Sequence, residues 1–183
     1  MHIENQFEIP LPPDTAWPIL MNVPETAACF PGVGSIDQIS ADQFKGRVTV
    51  KLGPLTMVFA GTMRIENRDD AAHGATVKAS WAEAKGRGHA NTVTRFALHE
   101  QTGGTQVTMQ SELQLAGQVA QYGRGVGMIS AISAQLISTF AENLRAKIQA
   151  RGADGESALQ PHASPEISGL TLIARALGNR IKG

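Results

Sequence analysis

The sequence predicts an α+β domain in which a curled antiparallel sheet wraps one long C-terminal helix, with a further amphipathic helix at the end of the chain. Three observations carry this reading. Apolar and polar residues alternate at period two through most of the stretch from Val33 to Leu115. Short turns rich in Gly, Asn and Asp separate the runs, and they are too short for the crossovers that parallel strands need. Beyond Gly117 the apolar spacing changes to three and four residues, the period of a helix packed on one side.

Each element follows in order. From His2 to Ile9, residues Ile3, Phe7 and Ile9 share one face and His2, Glu4, Gln6 and Glu8 the other, as in a half-buried strand. Pro13 or Asp14 opens a short helix through Ala16, Trp17, Leu20 and Met21. Pro18 is expected in its first turn, where a missing N–H costs little. Pro24 and Pro31-Gly32 then bracket a further helical turn around Glu25 to Cys29. Val48, Val50 and Leu52 alternate with Arg47, Thr49 and Lys51, and Met57, Phe59, Met63 and Ile65 form the next inward set. Asn67 to Gly74 reads as a polar turn. Val77, Ala79 and Trp81 continue the pattern until Gly86-Arg87-Gly88 interrupts it. Thr92, Thr94, Phe96 and Leu98 face inward in the next strand, although Val93 supports the opposite register. Gly103-Gly104 marks a hairpin, followed by Val107, Met109, Ser111, Leu113 and Leu115.

The long helix carries a stripe of Ile129, Ile132, Leu136, Phe140, Leu144 and Ile148. Gly123, Gly125 and Gly127 fall in its expected first turns, each costing about 1 kcal/mol relative to Ala. Close helix–sheet approach or a loose cavity mouth would explain them. Residues 1–150 therefore form the main domain, and Gly, Ser, Asp and Pro make 151–165 a flexible linker. In 166–183, Ile167, Leu170, Leu177 and Ile181 lie on one helical face, with Arg175 and Lys182 on the other and Arg180 nearby. About 16 residues at roughly 1.5 Å each give about 24 Å, short of the roughly 30 Å of a bilayer core. This tail helix suits a membrane surface, a partner's groove, or its own domain.

Composition excludes several function classes. The chain of 183 residues holds 16 basic and 16 acidic side chains, so it lacks the basic footprint of a nucleic-acid binder. One cysteine allows neither an internal disulfide nor a Cys-rich zinc site. The histidines at 2, 73, 89, 99 and 162 show no ligand spacing, so no metal is expected. The start lacks a basic, apolar leader, which leads us to expect a cytoplasmic protein, at most peripheral to the inner face of the cytoplasmic membrane. Gly123-x-Gly125-x-Gly127 lacks the Lys-Ser/Thr of a phosphate loop. No side chain is assigned a catalytic role. Cys29 has no neighbouring base in the sequence and reads as a small buried hydrophobe.

What remains is the inward face. Phe30, Phe59, Met63, Trp81, Phe96, Met109 and Leu113 could line a cavity or fill a solid core. The methionines and the glycine-rich helix entry favour the cavity. Met128, Ile129 and Ile132 would close it from the helix, and Thr92, Ser111 and Tyr122 would supply polar groups. The expected occupant is a hydrophobic small molecule.

Several ordered motifs resemble the G-subunit family of carbon monoxide dehydrogenase. They are Asp14-x-Ala16-Trp17, Asn22-x-Pro24-Glu25, Cys29-Phe30-Pro31-Gly32-Val33, Gly46-x-Val48-x-Val50-Lys51-Leu52-Gly53-Pro54 and Phe59-x-Gly61. Gly86-x-Gly88-x-Ala90-Asn91-Thr92, Gly117-x-Val119-Ala120-x-Tyr122-Gly123 and Phe140-Ala141-Glu142-Asn143-Leu144 continue the series. The resemblance covers residues 1 to about 150 and leaves the tail uncovered. It implies the helix-grip fold of the START/Bet v 1-like (SRPBCC) superfamily. It also implies a non-catalytic accessory of a molybdenum hydroxylase-type oxidoreductase, helping to bring the enzyme to the membrane. A respiratory quinone is then the candidate occupant, with no other cofactor expected. The rivals are a polyketide cyclase or dehydratase acting through His89, Glu83 or Tyr122, and a solid-cored adaptor acting through its tail.

Overall fold

The computed structural model describes residues 1–52, 55–124 and 126–158, and of residues 52, 55, 122–124, 126 and 152–158 the backbone alone. Strand β1 (His2–Ile9) leads into helices α1 (Pro13–Met21) and α2 (Val23–Ala27). Six strands follow: β2 (Val33–Ser40), β3 (Gln43–Leu52), β4 (Leu55–Asp69), β5 (Gly74–Glu83), β6 (Gly88–Gln101) and β7 (Gly104–Gly117). A 3-10 turn (Gln118–Arg124) and helix α3 (Val126–Ala158) complete the described chain.

The seven strands form one open antiparallel sheet in the order β1-β7-β6-β5-β4-β3-β2. Every hairpin joins neighbours in sequence, and β1 returns to pair with β7, with Phe7 opposite Val107. The core lies on the concave face, where α3 buries Ile137, Phe140, Ala141 and Leu144. Phe140 meets Phe7 edge-on at 5.4 Å and Phe30 at 5.7 Å. Polar contacts set the helix in place at its flanks. Asn143 Nδ2 donates to the Cys29 carbonyl at 2.9 Å and Lys147 Nζ to the Glu25 carbonyl at 3.0 Å. Arg145 Nε donates to the Glu8 carbonyl on edge strand β1 at 3.0 Å. Met1–Ile148 form one compact unit, and the described residues from Gln149 on fall outside it.

Two glycines of the family-like motifs have steric reasons. Gly32 turns the chain out of α2 at φ +82°, and a Cβ there would strike the Thr49 carbonyl oxygen. At Gly61 strand β4 approaches β5 so closely that a Cβ would strike the Ser80 carbonyl beside Trp81.

Four local expectations need correction. The switch after Gly117 yields a 3-10 turn first, and α3 starts only at Val126. Glycine disfavours a regular helix there, so Gly123 falls in the 3-10 turn, Gly125 lies outside the described residues, and Gly127 alone enters α3. Pro18 is the sixth residue of α1, beyond the first turn. The bond its ring removes would go to the carbonyl of Asp14, an exposed residue, where water can compensate. Strand β4 runs on to Asp69 through what reads as a turn, because a register shift after Glu66 and a left-handed Asn67 at φ 48° absorb the irregularity. Residues 151–158 extend α3 where an irregular linker is expected, since lengthening a formed helix carries no nucleation cost. The rest of the linker and the tail helix, with Ile167, Leu170, Arg175, Leu177, Arg180, Ile181 and Lys182, lie outside the described residues.

Candidate functional site: a two-chambered apolar hollow

The concave face is filled along only part of its length. Ile9 of β1 and Leu144 of α3, each 1% exposed, belong to the filled part. Elsewhere between sheet and helices lie two hollows of about 300 and 350 Å³. Phe30, Val48 and Trp81 line both, so the two are adjacent chambers.

The first chamber is walled by Met63 of β4, Val77 of β5, Thr94 and Phe96 of β6 and Met109 of β7. Leu20, Val23 and Thr26 of the short helices and Ile137 and Phe140 of α3 face them. The second is walled by Met57 and Phe59 of β4, Thr92 of β6, and Ser111, Leu113 and Leu115 of β7. Ile129, Ile132 and Leu136 of α3 lie over it. Strand register explains the grouping: Thr92 pairs with Leu113, Phe96 with Met109 and Met63 with Ala79, so same-face residues of adjacent strands stand side by side.

The inward register of β6 is the one with Thr92, Thr94, Phe96 and Leu98 on the concave side. Of the expected lining residues, Phe30, Phe59, Met63, Trp81, Thr92, Phe96, Met109, Ser111, Leu113, Ile129 and Ile132 come together around the chambers. Met128 does not. It is 45% exposed, because it is the residue before Ile129 and a step of about 100° turns it off the apolar stripe. The Tyr122 side chain lies outside the described residues. Sequence reasoning misses the lining residues of β2, β3 and α2 (Val33, Ile36, Val48, Val23). Alternation marks them only as core, and the sheet's curl is what brings them to the hollow.

The lining is apolar apart from hydroxyls and the indole N–H of Trp81, and most of the hydroxyls have internal partners. Thr94 and Ser111 share a hydrogen bond of 2.9 Å, one from each chamber. The Thr26 hydroxyl donates to the Ile19 carbonyl at 2.7 Å, and Ser133 accepts from Asn5 at 2.9 Å. Among the described residues, no Asp, Glu, His, Lys, Arg or Cys lines either chamber. A separate, mixed-polarity hollow of about 620 Å³, with Glu4, Gln110 and Arg145 in its wall, lies between the β1–β7 edge and α3.

The residues weighed for acid–base or thiol chemistry stand elsewhere. Glu83 is buried at the end of β5, but its partner is Arg87, at 2.6 Å. That guanidinium, against the cost of burial and helped by the Lys85 and Arg87 backbone N–H groups, lowers its pKa from 4.5 to about 2. A carboxylate so strongly held as the anion is a poor proton donor near neutrality. His89 is exposed, and Cys29 is buried with its thiol 3.8 Å from the Glu25 carbonyl. No group of three or more His, Cys, Asp or Glu among the described residues could hold a metal. Nor is any described helix long and apolar enough to cross a membrane.

Residues 6–149 match the family model of the carbon monoxide dehydrogenase G subunit, CoxG. The chain belongs to that family. A search of curated proteins returns no match. Among solved structures, a conserved protein from Geobacillus kaustophilus is similar at TM-score 0.72 and 18% identity, covering 81% of this chain and 95% of that one. A START superfamily protein from Mycobacterium smegmatis is similar at TM-score 0.58 and 11% identity, covering 81% and 97%. An aromatase/cyclase from a Streptomyces species is similar at TM-score 0.59 and 14% identity, covering 82% and 94%. These likenesses establish the fold as the START-like helix grip. The CoxG family is one of accessory subunits.

Proposed function

We propose that this CoxG family member is a non-catalytic accessory of a molybdenum-containing, carbon monoxide dehydrogenase-like oxidoreductase. It holds a neutral hydrophobic molecule in its two chambers and helps bring the enzyme to the cytoplasmic face of the membrane. The observation that carries the ligand reading is the pair of adjoining hollows walled by carbon, hydroxyl groups and the Trp81 indole. Their volumes lie at the lower end of small-molecule sites, which run from about 300 to 1,000 Å³. Each suits one part of a molecule with a ring and an apolar chain, and the Thr94–Ser111 pair offers hydroxyls to a ring carbonyl. A respiratory quinone has that form and would give the enzyme an electron acceptor. A fatty acid has a carboxylate, and the described lining offers it no cation. Burying several hundred Å² of apolar ligand at about 25 cal/mol per Å² contributes several kcal/mol, enough for about micromolar retention.

The likeness to an aromatase/cyclase makes a catalyst the competing reading. Against it stand the absence of an acid or base from the described lining and the Glu83–Arg87 pairing. The experiment is organic extraction of the purified full chain followed by mass spectrometry, with added quinone titrated against tryptophan fluorescence. Only Trp17 and Trp81 are present, so a Trp17→Phe variant leaves the chamber residue as sole reporter. Co-extraction of an isoprenoid quinone, or saturable quenching, is expected. An extract free of apolar molecules together with unquenched Trp81 would overturn the carrier reading.

A further inference from the structure

The chain's charges cancel overall, but the convex face of the sheet sorts them. Phe44, Val48 and Val50 of β3 occupy the concave side, so alternation places Lys45, Arg47 and Lys51 on the convex one. Register sets Lys45 across from Thr62, Arg47 across from Ala60, and Arg64 of β4 across from Lys78 of β5. Of these five cations, Lys45 and Lys78 have anions beside them. Asp37 lies 3.8 Å from Lys45, and Glu66 lies 2.8 Å from Lys78. Arg47, Lys51 and Arg64 have no ion-pair partner among the described residues. The opposite half of the same face carries Glu4 and Glu8 on β1 and Glu112 on β7, against Arg95 of β6.

We propose that the convex face of β3–β5, with Ile39 at its rim, docks on an anionic lipid bilayer. The cations stand on long stems above a floor of Ala60, Thr62, Ser80 and Ala82. Such a surface answers diffuse negative charge better than a shaped acidic partner. Ile39, the penultimate residue of β2, is 51% exposed, the largest exposure among the described large hydrophobics. It gives the basic field an apolar tip of the kind that enters the headgroup region. The charge sorting also sets an orientation. The β2–β3 edge turns toward the bilayer while the acidic β1 edge turns away. Val33, Ile36 and Val48 of that docked edge line the first chamber, so the lipid phase meets the side of the domain nearest the hollow. The docking face rests on the membrane-recruitment reading above and is independent of what the chambers hold.

The test is flotation of the purified full chain with vesicles of phosphatidylcholine alone or containing about one-third phosphatidylglycerol. Variants are Arg47→Gln/Lys51→Gln/Arg64→Gln on the sheet and Ile167→Asp/Leu177→Asp on the tail. Binding to anionic but not neutral vesicles is expected, weakening as salt rises. The sheet triple variant, checked for folding by circular dichroism, should lose about a hundredfold in vesicle affinity, about fivefold per cation. The tail variant should retain the preference for anionic lipid. The inference is overturned if lipid charge makes no difference, or if the sheet variant binds like the wild type. It also falls if vesicles stay free while immobilised polyglutamate captures the chain, which would make the occupant an acidic protein. Extracted quinone is a separate readout, so this proposal and the carrier reading can fail independently.

Discussion

The two halves of α3 that face the sheet make different use of one apolar stripe. From Ile137 to Leu144 the helix closes on Phe7 and the short helices, and its inward residues are almost fully buried. From Ile129 to Leu136 the same stripe continues, yet Ile129, Ile132 and Leu136 stay half-buried over the second chamber. Residue type does not explain this, since leucine and isoleucine occur in both. What differs is the facing surface. One half packs its Phe140 ring against Phe7, and the other faces a stretch of sheet where Thr92, Ser111 and Ala90 stand among the larger Phe59 and Leu113. Burial along the stripe is thus nearly complete from Ile137 to Leu144, where only Ile137 and Phe140 touch the first chamber, and partial from Ile129 to Leu136 over the second.

Substitutions should separate the halves. Leu144→Ala removes a side chain 1% exposed and should cost about 3 to 5 kcal/mol in chemical denaturation, with little change in chamber shape. Gly32→Ala forces a left-handed residue against the Thr49 carbonyl and should cost about 1 to 3 kcal/mol by thermal melting. Ile132→Ala, over the hollow, should cost only about 1 kcal/mol, because its transfer from water is already incomplete. Equal losses at Leu144 and Ile132 would erase the distinction between a packed and a hollow half.

Acid sharpens the same comparison at the sheet's open end. Glu83 has a folded-state pKa of about 2 against an ordinary 4.5, so its contribution is fully present above about 4.5 and fades as the pH falls toward 2. The Glu83→Gln variant should therefore show a flatter loss of stability over that interval than the wild type, followed by melting at stepped pH. Smallest of all, Met128→Ser should leave quinone quenching of Trp81 unchanged within error, since Met128 points away from the chambers. A clear loss there would place the first turn of α3 in the site after all.

Much of the fold was legible in the chain because alternation is a local signal. Met109 and Leu113 declare their face by position alone, whereas Val93 leaves the face of Thr92 and Phe96 open until the strand is paired, and short glycine turns leave antiparallel pairing as the available route. The chamber's outer wall was less legible. Val33, Ile36 and Val48 read as ordinary strand residues, and the curl that brings edge strands β2 and β3 over the helices is a property of the whole sheet. Glu83 was legible only as a candidate acid–base group, and its burial against Arg87 depends on how the turn after β5 folds back.

Sequence by itself determined which residues face inward, where the chain turns and which family it joins, because period, glycine placement and motif order are written residue by residue. Only the tertiary structure decided that the inward face stays partly empty, since a hollow depends on the distance between helix and sheet. It also decided that a chain of zero net charge carries a basic field on one half of its sheet, because strand pairing brings together cations from distant stretches of sequence.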